Sequence, residues 1–107
     1  VDELIADGSY LAFCPHKSSH WLGIDVHDVG DYRFHDEWRP LEPGMVLTIE
    51  PGVYIPQNAQ NENVPEQYWG MGIRIEDDVL ITNNGCDVLS KSVAKEIDAI
   101  EKLMQFS

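Results

Sequence analysis

Basic residues are scarce in this chain: 7 Lys and Arg stand against 19 Asp and Glu, a net charge of −12 with His neutral. A phosphate backbone repels such a surface, so nucleic-acid binding is not expected. No apolar run approaches the roughly 20 residues needed to cross a bilayer, and no membrane span is expected. The start, Val1-Asp2-Glu3-Leu4-Ile5, has no basic stretch followed by an apolar one, which argues against a secretory leader. Cysteine is limited to Cys14 and Cys86, far apart and without a C-x-x-C pair. Two free, mostly buried thiols in a reducing cytoplasm are expected. Internal repeats, low-complexity tracts and long acidic blocks are also missing, so the acidity is not that of a charged tail.

What is present is a chain of 107 residues, 43% hydrophobic. That suits one globular domain and is too apolar for a disordered segment. Val1, Leu4 and Ile5 share a helical face, and Gly8 can end that short helix. Arg39-Pro40-Leu41-Glu42-Pro43-Gly44 reads as a turn. A strand is expected over Met45–Glu50, with Met45, Leu47 and Ile49 on one face and Val46, Thr48 and Glu50 on the other. Pro51-Gly52 interrupts it, and Val53–Ile55 resumes it. The polar stretch Pro56–Gly70 reads as a surface excursion. A second strand is expected over Met71–Ile81, then a turn at Asn83-Asn84-Gly85 and a short return strand over Cys86–Leu89. Val93, Ile97, Ile100 and Met104 recur at helical spacing, with Ser92 as N-cap. This order predicts an α+β fold with an antiparallel, hairpin-rich sheet and a C-terminal helix.

Three of the four histidines, His16, His20 and His27, fall within twelve residues. His16 and His20 are four apart, but the Glu of H-E-x-x-H is missing and Gly23 follows closely. Any one of these histidines alone reads as an ordinary half-buried polar residue. Their clustering in an acidic chain points instead to a site. Glu50 and Glu76 each end an apolar strand. Alone, Glu50 reads as a strand-end carboxylate facing water, and Glu76 as the partner of Arg74 in a surface pair of small value. Asp77 and Asp78 read as a solvated turn. If the two strands are neighbours, the two Glu carboxylates approach, and close carboxylates repel unless a proton or cation lies between them. Adding an imidazole gives a mixed N/O donor set suited to manganese, iron, cobalt or zinc more than calcium.

Three blocks carry a family resemblance: His16-Lys17-Ser18-Ser19-His20-Trp21-Leu22-Gly23-Ile24-Asp25-Val26-His27-Asp28, then Leu41-Glu42-Pro43-Gly44-Met45-Val46-Leu47-Thr48-Ile49-Glu50-Pro51-Gly52-Val53-Tyr54, then Gly72-Ile73-Arg74-Ile75-Glu76-Asp77. In this order they resemble the C-terminal part of the catalytic domain of aminopeptidase P, the Xaa-Pro aminopeptidases of the M24 metallopeptidases. The resemblance implies that residues 1–107 are the C-terminal half of a pita-bread fold, with a curved antiparallel sheet. It implies removal of an N-terminal residue preceding proline, by two divalent ions, usually manganese, held by two Asp, one His and two Glu. By motif match His20, Glu50 and Glu76 are the metal ligands. Glu50 is also the proton acceptor from the attacking water. His16 and His27 are the outer catalytic histidines, and Arg74 and Tyr54 take supporting positions against the substrate or the ligands. The family's two Asp ligands have no counterpart here, since only Asp2 and Asp7 precede His16, outside the family's Asp context. Lys17 stands where members often have Gly. The expectation is therefore a piece of a larger cytoplasmic enzyme that is inactive by itself, holds one metal weakly or none, and self-associates. The parent would be a homo-oligomer acting on peptides with proline second. A prolidase, a creatinase-like hydrolase, or a non-catalytic interaction module reusing the fold are the alternatives.

Overall fold

The computed structural model describes residues 2–59 and 63–105. Val1, assigned above to the first helical face, and residues 60–62 of the polar excursion lie outside the described residues. The chain divides into two compact units, Val1–Ser19 with Glu50–Glu76, and His20–Ile49 with Asp77–Ser107.

The first unit opens with α1 (Asp2–Ala6). Gly8 ends it at φ 75°, a left-handed turn that glycine adopts without a Cβ penalty. A 3-10 turn follows over Ser9–Ala12. Strands β4 (Gly52–Tyr54) and β5 (Gly72–Arg74) form an antiparallel ribbon, with Gly52 opposite Arg74, Val53 opposite Ile73 and Tyr54 opposite Gly72. The Tyr54 N–H donates to the Phe13 carbonyl at 2.7 Å, which ties β4 to the N-terminal segment. Within the excursion, Glu66–Tyr68 makes a 3-10 turn, and Ala59 is 1% exposed.

The second unit holds β1 (Arg33–Phe34) and β2 (Glu37–Trp38), a small hairpin whose turn residues His35 and Asp36 take positive φ of 47° and 69°. It also holds a three-stranded antiparallel sheet of β3 (Val46–Ile49), β6 (Asp77–Thr82) and β7 (Gly85–Val88), in the order β3-β6-β7. Val79, at the centre of that sheet, is 3% exposed. Thr82 opposes Gly85 across the Asn83-Asn84 loop, the tight hairpin that the sequence anticipates. Helix α2 (Ile97–Met104) closes the unit.

Four expectations are corrected. The strand expected over Met71–Ile81 is two strands, β5 and β6, in different sheets. Pro51 explains the break: its carbonyl accepts the Ile75 N–H at 3.2 Å, but with no N–H of its own it cannot return the ladder bond. Asp77 and Asp78 are not a solvated turn but the first residues of β6, opposite Ile49 and Thr48. Ser92 does not cap a helix, because α2 starts only after Glu96. The preceding turn is held by Lys95, whose ammonium donates to the carbonyls of Ser90 and Val93 and pairs with Asp77 at 2.8 Å. Finally, both cysteines are free, but Cys86 is exposed rather than buried.

Candidate functional site

In β3 the buried face is the polar one. Thr48 is 1% exposed, whereas Ile49 is 49% exposed. The residue after β3, Glu50, is only 7% exposed and so is not the water-facing carboxylate expected of an isolated strand end. Its backbone N–H donates to the Ser18 carbonyl at 2.8 Å.

The first unit gathers five of the anticipated site residues. A carboxylate oxygen of Glu50 and one of Glu76 lie within 4.8 Å of each other. Arg74 does not pair with Glu76 as the sequence suggested. Its guanidinium lies 3.4 Å from Glu50 Oε2 instead, bringing positive charge to the buried carboxylate. Arg74 Nε–H also donates to the Tyr54 hydroxyl oxygen at 2.7 Å. The Tyr54 hydroxyl lies 3.0 Å from His16 Nε2, and His16 Nδ1 lies 2.6 Å from the Lys17 carbonyl. A carbonyl only accepts, so Nδ1 carries the proton and Nε2 of the neutral ring accepts from Tyr54. Glu50, Arg74, Tyr54 and His16 thus form one chain of polar contacts in which each donor meets an acceptor.

Two glycines make room for the Tyr54 ring at the centre of that chain. A Cβ on Gly52 would sit 2.6 Å from the Tyr54 hydroxyl oxygen, and one on Gly72 2.9 Å from its Cδ1. The ring therefore lies flat against both strands, where only glycine permits the approach.

The second unit places the other two histidines together. The rings of His20 and His27 meet edge to face at 4.4 Å between centroids. His20 is held to β3 by two hydrogen bonds with Thr48. The Thr48 N–H donates to the His20 carbonyl at 2.9 Å, and the His20 N–H donates to Thr48 Oγ1 at 3.0 Å. His20 Nδ1–H donates to the Trp21 carbonyl at 2.9 Å, which makes Nε2 the ring's lone-pair nitrogen. In this tautomer Nε2 is the nitrogen able to coordinate a metal.

Sequence reasoning missed Thr48, although a lone hydroxyl in an apolar strand was a visible oddity. It also missed the cluster just after Glu76. Asp77 pairs with Lys95 and accepts from the Ser90 hydroxyl, and these contacts, Lys95 foremost, hold its carboxyl below the ordinary aspartate value of 3.8. The Asp78 N–H donates to Ser90 Oγ at 3.1 Å.

The chain is similar to several known proteins. The family model of the M24 metallopeptidases matches residues 1–83. The Xaa-Pro aminopeptidase of Escherichia coli (strain K12) is 58% identical over 104 residues, which cover 97% of this chain and 23% of that protein. Xaa-Pro aminopeptidase 3 of Homo sapiens is 46% identical over 91 residues, 85% of this chain and 17% of that protein. The structure of Pseudomonas aeruginosa aminopeptidase PepP superposes with a TM-score of 0.87 at 55% identity, covering 97% of this chain and 23% of that one. Aminopeptidase P from E. coli with the inhibitor Pro-Leu gives a TM-score of 0.85 at 57% identity, over 96% and 23% of the two chains. The chain spans about a quarter of the length of the curated bacterial relatives it matches. With its antiparallel sheets and C-terminal helix, its α+β fold is that of the C-terminal half of a pita-bread domain. The chain belongs to metallopeptidase family M24, and within it resembles the Xaa-Pro aminopeptidases.

Proposed function

We propose that this chain is the C-terminal part of a dinuclear-metal Xaa-Pro aminopeptidase, which hydrolyses the bond between an N-terminal residue and a following proline. The observation that carries this reading is the approach of Glu50 and Glu76 to within 4.8 Å, with Glu50 buried. Two carboxylates so close need a cation or a proton between them, and Arg74 contacts only one. By family resemblance an imidazole, that of His20 in its Nδ1–H tautomer, completes the proposed donor set with the two carboxylates. The set fits a mid-series divalent ion, manganese by family resemblance. His20, Glu50 and Glu76 are the proposed ligands, and the family's two Asp ligands have no counterpart in this chain.

When bound, the ion pair supplies polarisation of the scissile carbonyl and a more acidic water. The chain's own groups have the remaining tasks. Glu50 takes the proton from the attacking water. His27 donates a hydrogen bond to the carbonyl oxygen as negative charge develops on it. His16, held through Tyr54 and Lys17, contacts the substrate from a fixed tautomer. Arg74 orients both Glu50 and Tyr54. The amide before proline has no N–H, so the enzyme selects the ring by shape and by that missing donor.

The 107-residue chain alone is proposed to be inactive and to bind one ion weakly or none. Among the described residues, large apolar side chains stand exposed in both units, including Ile73 at 64% in the first and Trp38 at 74% in the second. Such surface favours self-association of the isolated chain, and a homo-oligomeric parent. No helix among the described residues is long and apolar enough to cross a membrane. A cytoplasmic location is proposed from the cysteine usage.

The test is an assay of the full-length protein with Mn2+ on tripeptides that differ only in having proline or alanine second. Proline-dependent release of the first residue, abolished in Glu50→Gln, is expected. Cleavage of dipeptides alone would assign a prolidase instead. No hydrolysis by a folded, metal-loaded protein would leave a binding module.

A further inference from the structure

The segment His20–Leu22 pairs antiparallel with the edge of β3. Trp21 bridges Leu47, the Thr48 N–H donates to the His20 carbonyl, and the Leu22 N–H donates to the Val46 carbonyl. In this register the next ladder bond along the edge runs from the His20 N–H to the Thr48 carbonyl. It is not made that way. The His20 N–H is taken by the Thr48 side-chain hydroxyl at 3.0 Å. A side chain has replaced a backbone acceptor at the single position that carries the proposed imidazole ligand.

We infer that Thr48 is a positioning residue for His20: its hydroxyl draws the His20 backbone out of the regular ladder and sets the direction in which the imidazole leaves the strand edge. This rests on the reading of His20 as a metal ligand.

Two further observations support it. Thr48 is the largest side chain among the described residues with under 2% exposure, so a hydroxyl is retained where a methyl would be expected from burial alone. The ring is also fixed at its other end, through Nδ1–H to the Trp21 carbonyl. With the backbone N–H and Nδ1 both held, the ring has one orientation and one tautomer. Val at position 48 has nearly the same shape as Thr but no acceptor. It would return the His20 N–H to the carbonyl and turn the imidazole away. Ser would keep the acceptor.

The experiment compares wild type, Thr48→Val and Thr48→Ser in the full-length protein by two readouts. The first is the tautomer of His20 in the metal-free protein, from two-bond 15N–1H correlations of the ring. The second is the Mn2+ dissociation constant. Wild type and Thr48→Ser are expected to show the pure Nδ1–H form and similar affinity. Thr48→Val is expected to show mixed tautomers and affinity weaker by about 10–100-fold, the range for groups that orient a ligand. Unchanged tautomer and affinity in Thr48→Val would overturn the inference. So would equal losses in Thr48→Val and Thr48→Ser, which would mean that volume rather than the hydroxyl matters. If wild type binds no Mn2+, the metal reading fails, and the tautomer comparison decides the positioning role by itself.

Discussion

The Arg74 guanidinium lies 3.4 Å from the Glu50 carboxylate, not beside Glu76, its neighbour two residues along the same stretch of sequence. The cross-strand register explains this. Arg74 lies opposite Gly52, so the strand pair brings it towards the start of β4, where Glu50 enters the unit. The consequence is an asymmetry between the two carboxylates. Glu50 is buried and has a cation beside it, whereas Glu76 is exposed.

Replacing Arg74 by Met should therefore destabilise the metal-free protein. Losing one partner of a fully buried pair costs several kcal/mol. The Arg74 side chain is 42% exposed, so solvent screening reduces this to roughly 1 kcal/mol. A lower urea midpoint at unchanged m-value is the expected readout. Arg74→Lys should recover part of the loss. It retains a charge for Glu50 but lacks the planar fork that also reaches Tyr54. Equal midpoints for wild type and Arg74→Met would show that the pair contributes nothing.

Gly52→Ala should act through Tyr54. The new Cβ would lie 2.6 Å from the hydroxyl oxygen, so the ring must move and lose its bonds to Arg74 and His16. The overpacking cost is about 1–3 kcal/mol. Tyr54→Ala removes the hydroxyl and both ring carbons that the new Cβ would meet, at 2.6, 2.8 and 2.9 Å. The effect of Gly52→Ala should therefore be smaller in that background, with a coupling of at least about 0.5 kcal/mol. Strictly additive midpoint shifts in the double-mutant cycle would refute the assigned contact.

Removing a proposed ligand should separate metal binding from folding. In the full-length protein, His20→Ala and Glu76→Gln are each expected to weaken Mn2+ binding by on the order of 100-fold or more, beyond what loss of an orienting group costs. Glu76 is exposed, so Glu76→Gln should leave the metal-free stability within about 0.5 kcal/mol of wild type. Calorimetric titration and denaturant melts of the same samples check both halves. Wild-type affinity in either variant would remove that residue from the ligand set.

These relationships were legible in the sequence to different depths. The β6–β7 hairpin was readable because Asn83-Asn84-Gly85 carries its own turn chemistry. The periodicity of Ile97, Ile100 and Met104 likewise marked α2. The division of β5 from β6 was not readable. Gly72–Ile81 contains no interrupting residue, and the break is imposed by Pro51 on the opposite strand. The helix start failed for a similar reason. Ser92 has the chemistry of a cap, but Lys95 holds the preceding turn through contacts distant in sequence. At the site, residue types marked Glu50, Glu76 and the histidines. The partner of Arg74 and the role of Thr48 depend on register, which one-dimensional spacing does not contain.

The ties made by Asp77 give a pH test with a defined sign. Lys95 first, and then the Ser90 hydroxyl, hold the Asp77 carboxyl below its ordinary value of 3.8. A carboxyl whose folded value is lowered binds its proton less readily than in the unfolded chain. Its contribution to stability is therefore fully present above 3.8 and fades as pH falls through the lowered folded value. Asp77→Asn keeps the side-chain size and an acceptor for Ser90 but removes the charge opposite Lys95. Wild type should be more stable than Asp77→Asn at neutral pH by a margin that stays constant down to about pH 5. The margin should then narrow progressively in more acid solution. Lys95→Met should lose stability at neutral pH and narrow its gap from wild type over the same acid range, because the same pair is broken from the other side. Urea midpoints measured from pH 7 to pH 3 decide the matter, since a gap that persists unchanged through acid would mean the side chains contribute by shape and not by charge.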